Sequence, residues 1–294
     1  MVCAVLIWFG LPNDPAESYF LTAEEKWMMR VRNEQRRRYM GSDKFSWDEM
    51  WTALRDPKLA FSAVTQFCQD ILLYGFSTFL PTILQGIGYN SLMSNVLTVP
   101  VYIWAAIVFI AVAYCADRFS RFASVSHVHS LSFQSTKSGS EHGEEDSNMR
   151  KQYILIANIF GIIGYILLLA VSNDPVKYFA TYLCAIACYT GVGLNVAWLN
   201  VNFAPQYRRA LAVGVQQTIG NCAGIVAGQI YRKSPYVLGN SFSLGALCVA
   251  QIVVFVHAMY LKRENAEKER IIDGKEDTRR VRTGDAEVEF KYHY

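Results

Sequence analysis

Charge is scarce in this chain of 294 residues: 18% are Asp, Glu, Lys or Arg, against 52% hydrophobic. An average soluble domain carries about a quarter charged residues, so this balance is unusual for a water-surrounded fold and points to the membrane class. A net charge of +3 is too small to call for a nucleic-acid partner. No CxxC pair occurs among the seven cysteines (Cys3, Cys68, Cys115, Cys184, Cys188, Cys222 and Cys248), and nearly all lie in apolar runs. That pattern predicts reduced, buried thiols rather than disulfides or a zinc site. No apolar run holds an HExxH, a nucleophile beside a base, or a pair of carboxylates, so neither an enzyme nor a cofactor is expected. The sequence also has no Asn-x-Ser/Thr acceptor, and its start lacks the basic residues and small-residue cleavage site of a signal peptide.

What is present is six apolar stretches, Leu59–Leu84, Val96–Ala116, Tyr153–Val171, Tyr178–Trp198, Ala210–Ile230 and Ser241–Leu261. A membrane-crossing helix needs about 20 such residues, so an all-α membrane protein with six spans over 59–261 is predicted. None of the 28 Lys and Arg residues falls inside a stretch. With the connector 12–58 placed in the cytoplasm, 25 of them lie inside and 3 outside, which makes both ends cytoplasmic. Residues 1–11 read as the remnant of a preceding transmembrane helix. Within the connector, Thr22 with Glu25 and Ser46 with Glu49 have capping-box spacing. Trp27, Met28 and Val31 form one apolar stripe, and Trp47, Met50, Trp51 and Leu54 another. Either two short helices lie at the membrane surface or the connector is a solvated linker. Residues 122–149 hold eight Ser and three of the five His, which predicts a disordered insert. His127 and His129 have no further ligands in register, so no metal is expected. The charged tail 262–294 reads as disordered or as a fraying helix.

The opening span carries one carboxylate, Asp70, near its middle. An ionisable group at that depth costs about 2.5–3.5 kcal/mol on insertion scales and marks a pathway or a polar interior. Gln66, Asp70, Tyr74 and Ser77 share one helical face, while Phe67, Ile71, Leu72 and Phe76 lie elsewhere on the wheel. This predicts a helix with lipid on one side and a wet seam on the other. Burial disfavours the charged form of an acid, so Asp70 could carry a proton; an Asp held in place through Tyr74 or Asn195 is the structural alternative. Tyr74, Asn195, Trp198, Gln216, Gln217 and Asn221 could face a cavity, hydrogen-bond a carboxylate or stack on a flat ring. Helix-to-helix hydrogen bonds are their ordinary role. Gly220, Gly224 and Gly228 form a smooth stripe suited to close helix approach, and His257 is expected only to pack.

Removing the insert joins Asp117-Arg118-Phe119-Ser120-Arg121 to Arg150-Lys151. The joined loop resembles the D-R-x-x-R-R/K signature of the major facilitator superfamily. Phe20–Lys26 (FLTAEEK), Tyr74–Leu84 (YGFSTFLPTIL), Gly88–Tyr102, Asn202–Ala210 (NFAPQYRRA) and Gln216–Tyr231 are similar to the fungal anion:cation symporter branch, the allantoate and nicotinate permease group. The resemblance is greatest to its high-affinity nicotinate permeases. It implies the carboxy-terminal half of a twelve-helix fold, helices 7–12, with the first lobe missing through a truncated gene model. It implies proton-coupled symport of a small organic anion, nicotinate-like, across the plasma membrane. The expected partners are the anion, a proton, the lipid bilayer and the missing amino-terminal lobe. Asp70, Gln66, Tyr74, Asn195, Trp198, Gln217 and Asn221 would form the proton and substrate pathway. Asp117, Arg118, Arg121 and Arg150 would form a loop latch that stabilises one access state. The alternative is a non-transporting six-helix scaffold or sensor, or the product of a decayed gene.

Overall fold

Thr22 and Glu25 set the first helix. Glu25 N donates to Thr22 Oγ1 at 3.4 Å, while Thr22 N and Thr22 Oγ1 each donate to Glu25 Oε2 at 2.9 Å. This reciprocal cap satisfies N–H groups that have no partner inside the helix. The same bonds hold the exposed Glu25 carboxyl below its ordinary range. The helix they start, α1, spans Ala23–Met40, and α2 spans Trp47–Leu54. Trp27, Met28, Trp47 and Trp51 are exposed along them. Ser46 and the side chain of Glu49 lie outside the described residues.

The computed structural model describes residues 18, 21–40, 47–131, 149–204, 206–232, 236–272, 292 and 294, and every regular element among them is helical. Asp56 begins α3 (Pro57–Ile87): its backbone is extended and its carboxylate accepts from Lys58 N at 2.9 Å. Pro57 takes the first helical position, where its missing N–H costs nothing. Gly88 ends the helix at φ 117°, a left-handed conformation in which its N–H reaches back to Gln85 O and Leu84 O. There follow α4 (Ser91–Leu131), α5 (Met149–Ala170), α6 (Asp174–Asn202), α7 (Gln206–Asn221), α8 (Ala223–Ile230) and α9 (Val237–Ile272). α7 and α8 are one span, Tyr207–Ile230, broken at Cys222, where Ile225 N donates to Cys222 O at 3.2 Å.

Among the described residues, six helices are thus long and apolar enough to cross a membrane, as the six stretches predict. One end departs from expectation, and a second takes the helical one of the two readings given for it. α4 runs to Leu131, ten residues into the segment expected to be disordered from Phe122. No Gly or Pro lies between Pro100 and Gly139 to stop it. α9 runs to Ile272, well into the charged tail, helped by Glu264 and Lys268 at the favourable i, i+4 spacing. Asn265 on that extension exchanges two hydrogen bonds with the backbone of Tyr292, at 2.8 and 2.9 Å. Lys58 and Lys268 place their ammonium groups 4.1 and 3.7 Å from the Tyr292 ring centre, so this residue of the tail is docked and buried.

α3 is the hub, touching α4, α6, α7, α8 and α9. Ile71, Leu72, Phe76 and Leu80 are buried in one core with Cys184, Ala187 and Cys188 of α6 and Leu247 and Ala250 of α9. The expectation that one side of this helix faces lipid is therefore corrected: its apolar side is covered by other helices. α5 reaches α6 at two glycines. A Cβ at Gly161 would collide with Ala187 Cβ, and one at Gly164 would sit 2.8 Å from Cys184 Sγ. The six cysteines among the described residues are all free thiols.

Candidate functional site

The helical repeat brings Ser62, Gln66, Asp70 and Tyr74 onto one stripe of α3, four residues apart. α6 supplies Asn195 to that stripe, and α7 supplies Gln216, Gly220 and Asn221. Asp70 is 4% exposed, and both of its carboxylate oxygens accept from Gln66 Nε2 at 3.2 Å. Gln66 Oε1 accepts in turn from Asn195 Nδ2 at 2.9 Å, and the same amide nitrogen donates to Ser62 O at 3.1 Å. Ser62 Oγ donates to Asn195 Oδ1 at 3.2 Å and accepts from Gln216 Nε2 at 2.7 Å. Ser62, Gln66, Asn195 and Gln216 are all fully or almost fully buried. No basic side chain among the described residues ion-pairs with Asp70.

Gly220 makes this approach possible. A Cβ there would collide with Asp70 Oδ2 and lie 2.8 Å from Gln66 Cγ, so α7 meets the acid with bare backbone. One turn on, Tyr74 Oη donates to Asn221 Oδ1 at 2.6 Å, and a Cβ at Gly224 would find ordinary van der Waals room beside the Tyr74 ring, at 3.6 Å. Gly228 has nothing within 4 Å, so only Gly220 of the three stripe glycines marks an approach too close for a Cβ.

Among the residues expected to form the pathway, Gln66, Asp70 and Asn195 are joined in one network, and Tyr74 with Asn221 forms a pair beside it. Gln217 is half-buried, with its Oε1 buried and unbonded. Trp198 is elsewhere. It is 1% exposed and packs on His257 at a centroid distance of 4.4 Å, among Ile154, Leu194 and Val254. Phe61 stacks on His257 at 5.6 Å, so this histidine packs as expected. The acid is held by Gln66, and through it by Asn195; Tyr74 turns to Asn221 instead.

The expected latch is only partly described. Arg118 Nη1 donates to Tyr114 Oη at 3.0 Å, and Arg150 Nη1 donates to Ala197 O of α6 at 3.3 Å. The side chains of Asp117 and Arg121 lie outside the described residues.

Sequence reasoning missed Ser62, although its place one turn before Gln66 on the Asp70 stripe would have flagged it. It also missed Gln69, whose Nε2 donates to Asn158 Oδ1 of α5 at 3.4 Å. A charged cluster at the start of α3 was missed as well, because its members are far apart in sequence. Lys58 Nζ lies 3.2 Å and Arg208 Nη2 3.8 Å from Asp56 Oδ2, beside a cavity of about 540 Å³ bordered by Trp51, Arg55, Glu264 and Tyr292.

Six long apolar helices among the described residues, three of them joined by a buried polar seam, define an integral membrane protein. The chain belongs to the Major Facilitator Superfamily, whose profile matches residues 1–229. It is 41% identical over 293 residues to an uncharacterised transporter of Schizosaccharomyces pombe, covering 99% of this chain and 55% of that protein. A second uncharacterised transporter of the same yeast is 39% identical over 294 residues, covering 98% of this chain and 53% of that protein. The high-affinity nicotinic acid transporter of Saccharomyces cerevisiae is 30% identical over 294 residues, covering 97% of this chain and 50% of that protein. The chain spans about half the length of these curated relatives.

Proposed function

We propose that this chain forms one lobe of a proton-coupled permease for a small organic anion of the nicotinate kind. The observation that carries the reading is Asp70, a buried acid at mid-helix with an amide donor on both oxygens and no cationic partner among the described residues. An acid kept at that depth without a compensating charge suits a group that takes up and releases a proton. Beside it, Tyr74, Asn221 and Gln217 offer a hydroxyl, amides and one aromatic face to a flat carboxylate. The named specificity of the Saccharomyces cerevisiae relative supports nicotinate as the first substrate to test. The second lobe of the fold would close the other side of the seam, with both ends of this chain in the cytoplasm of a plasma-membrane protein. Asp117, Arg118, Arg121 and Arg150 would latch one access state from the cytoplasmic side.

The test is uptake of radiolabelled nicotinate and other small carboxylates in a permease-deficient yeast. The cells would express the longest natural reading frame that contains this chain. Uptake should be saturable and rise as the external medium is acidified. Asp70→Asn should abolish that pH dependence while the protein still reaches the membrane. Unchanged uptake across pH in the variant would overturn the proton role, and absence of uptake of every carboxylate would overturn the substrate class.

A further inference from the structure

Five side chains on three helices form four links, and every link points the same way. Gln216 Nε2 donates to Ser62 Oγ at 2.7 Å, Ser62 Oγ donates to Asn195 Oδ1 at 3.2 Å, Asn195 Nδ2 donates to Gln66 Oε1 at 2.9 Å, and Gln66 Nε2 donates to Asp70. The series starts from Gln216 Oε1, buried without a hydrogen-bond partner, and ends on a carboxylate, which when ionised can only accept. Each of the three middle members donates on one side and accepts on the other. An amide reverses those roles by half a turn about its last bond, and a hydroxyl does so by swinging its hydrogen.

Adding a proton to Asp70 upsets the last link. One NH₂ group serves both carboxylate oxygens, so whichever oxygen takes the proton meets a donor. Turning the Gln66 amide presents Oε1 to the new O–H, and its NH₂ then faces Asn195. Asn195 must turn to accept, which directs its own NH₂ at Ser62 Oγ. The Ser62 hydrogen then swings to Gln216, whose unbonded Oε1 is the acceptor to be brought round. The number of links is four in either direction, so the proton on the acid decides between them. The extra bond from Asn195 Nδ2 to Ser62 O, at 3.1 Å, exists only in the forward direction and favours it while Asp70 is ionised.

We propose that the hydrogen-bond series from Gln216 to Asp70 reverses when Asp70 takes up a proton, making Asn195, Ser62 and Gln216 positioning residues that carry the state of the acid to α7. The proposal rests on the proton role given to Asp70 above, and adds how that role is felt at the start of α7. Other titratable groups on the packed elements stand apart from the series. Tyr74 of α3 bonds to Asn221 and Tyr102 of α4 to Ser77 O. Cys184 and Cys188 of α6 lie in the apolar core, as does Cys68 of α3. Cys222, between α7 and α8, donates to Thr218 O, and Tyr231, after α8, bonds to Asn240. His257 of α9 stacks on Phe61 and Trp198. The charged residues nearest along these helices, Lys58 and Arg208, pair with Asp56. Lys58 is twelve residues, about 18 Å of helix rise, from Asp70.

The test is NMR of the side-chain NH₂ groups in the purified chain, labelled with ¹⁵N-glutamine and held in lipid nanodiscs. Gln66→Met and Gln216→Met assign the two resonances. Both should move with pH at one common midpoint, and both should stop moving in Asp70→Asn. Ser62→Ala cuts the series without touching Asp70 or Gln66: Gln66 should still titrate, whereas Gln216 should lose its shift. Ser62→Thr, which keeps the hydroxyl, should restore it. A Gln216 resonance that is static in the parent protein, or that still titrates in Ser62→Ala, would overturn the proposal. The measurement needs neither substrate nor a second lobe, so a failure of the uptake experiment and a failure of the relay are separate results.

Discussion

α3 and α4 are neighbours in sequence and opposites in environment. In the most apolar part of α4, 17% of residues are buried, against 56% in α3. α4 spreads Val96, Val99, Ile103, Ile107 and Ile110 over exposed surface, as a helix in contact with hydrocarbon does. α3, the less apolar of the two, packs against five other helices. In water the greasier helix would be the buried one; here the order is reversed because lipid is the solvent. Polar side chains are therefore the interior marker, and Ser62, Gln66 and Asp70 point to the middle of the lobe.

The largest effect expected from this contrast compares the two helices directly. Leu72→Ala removes a fully buried side chain from the core of α3 and should cost about 2–5 kcal/mol. Ile107→Ala removes a similar volume from the exposed face of α4 and should change stability by less than about 0.5 kcal/mol. Thermal unfolding of both variants in one detergent checks the pair. Equal losses would mean that the outer face of α4 is covered by protein.

A smaller effect is expected inside the seam. Asn195→Leu keeps the volume of a buried residue but strips partners from Ser62 and Gln66, and should cost about 1–3 kcal/mol, the penalty for buried polar groups left unbonded. Unfolding in the same detergent reads it. A neutral result would show that water replaces Asn195 and that the seam is wet rather than sealed.

Much of this architecture is legible in the sequence, because a membrane helix announces itself by length and by the absence of Lys and Arg. Asp70 stands out for the same reason. The helical wheel alone also put Gln66 and Asp70 on one face. What it could not give was the neighbour on the other side of each residue. Trp198 has the composition of a pocket residue, yet it packs on His257, three residues and nearly one turn beyond Asn195. The apolar side of α3 was expected to meet lipid because a single helix cannot tell an apolar neighbour from a bilayer. The clustering of Asp56, Lys58 and Arg208 depends on the folded return of α7 to the start of α3, which no local pattern encodes.

The span made of α7 and α8 breaks the rule that separates α3 from α4: it is only modestly apolar, yet only 28% of its most apolar part is buried. Its exposed residues include Thr218, Asn221 and Gln229, which hydrocarbon would not favour, so this face is the one expected to meet water or another protein surface. Two glycines of the span, Gly220 against α3 and Gly228 open, are expected to respond with opposite signs. Gly220→Ala would drive a Cβ into Asp70 and should destabilise the chain by about 1–2 kcal/mol, the cost of overpacking less the gain in helix propensity. Gly228→Ala meets nothing within 4 Å, so only the propensity gain remains, about 0.5–1 kcal/mol of added stability. Detergent unfolding of the isolated chain should show these opposite signs. If the gain at Gly228 turns into a loss when the longest natural reading frame is tested in place of this chain, then a further segment of that protein packs on the stripe, and the polar face of α7 and α8 is where it sits.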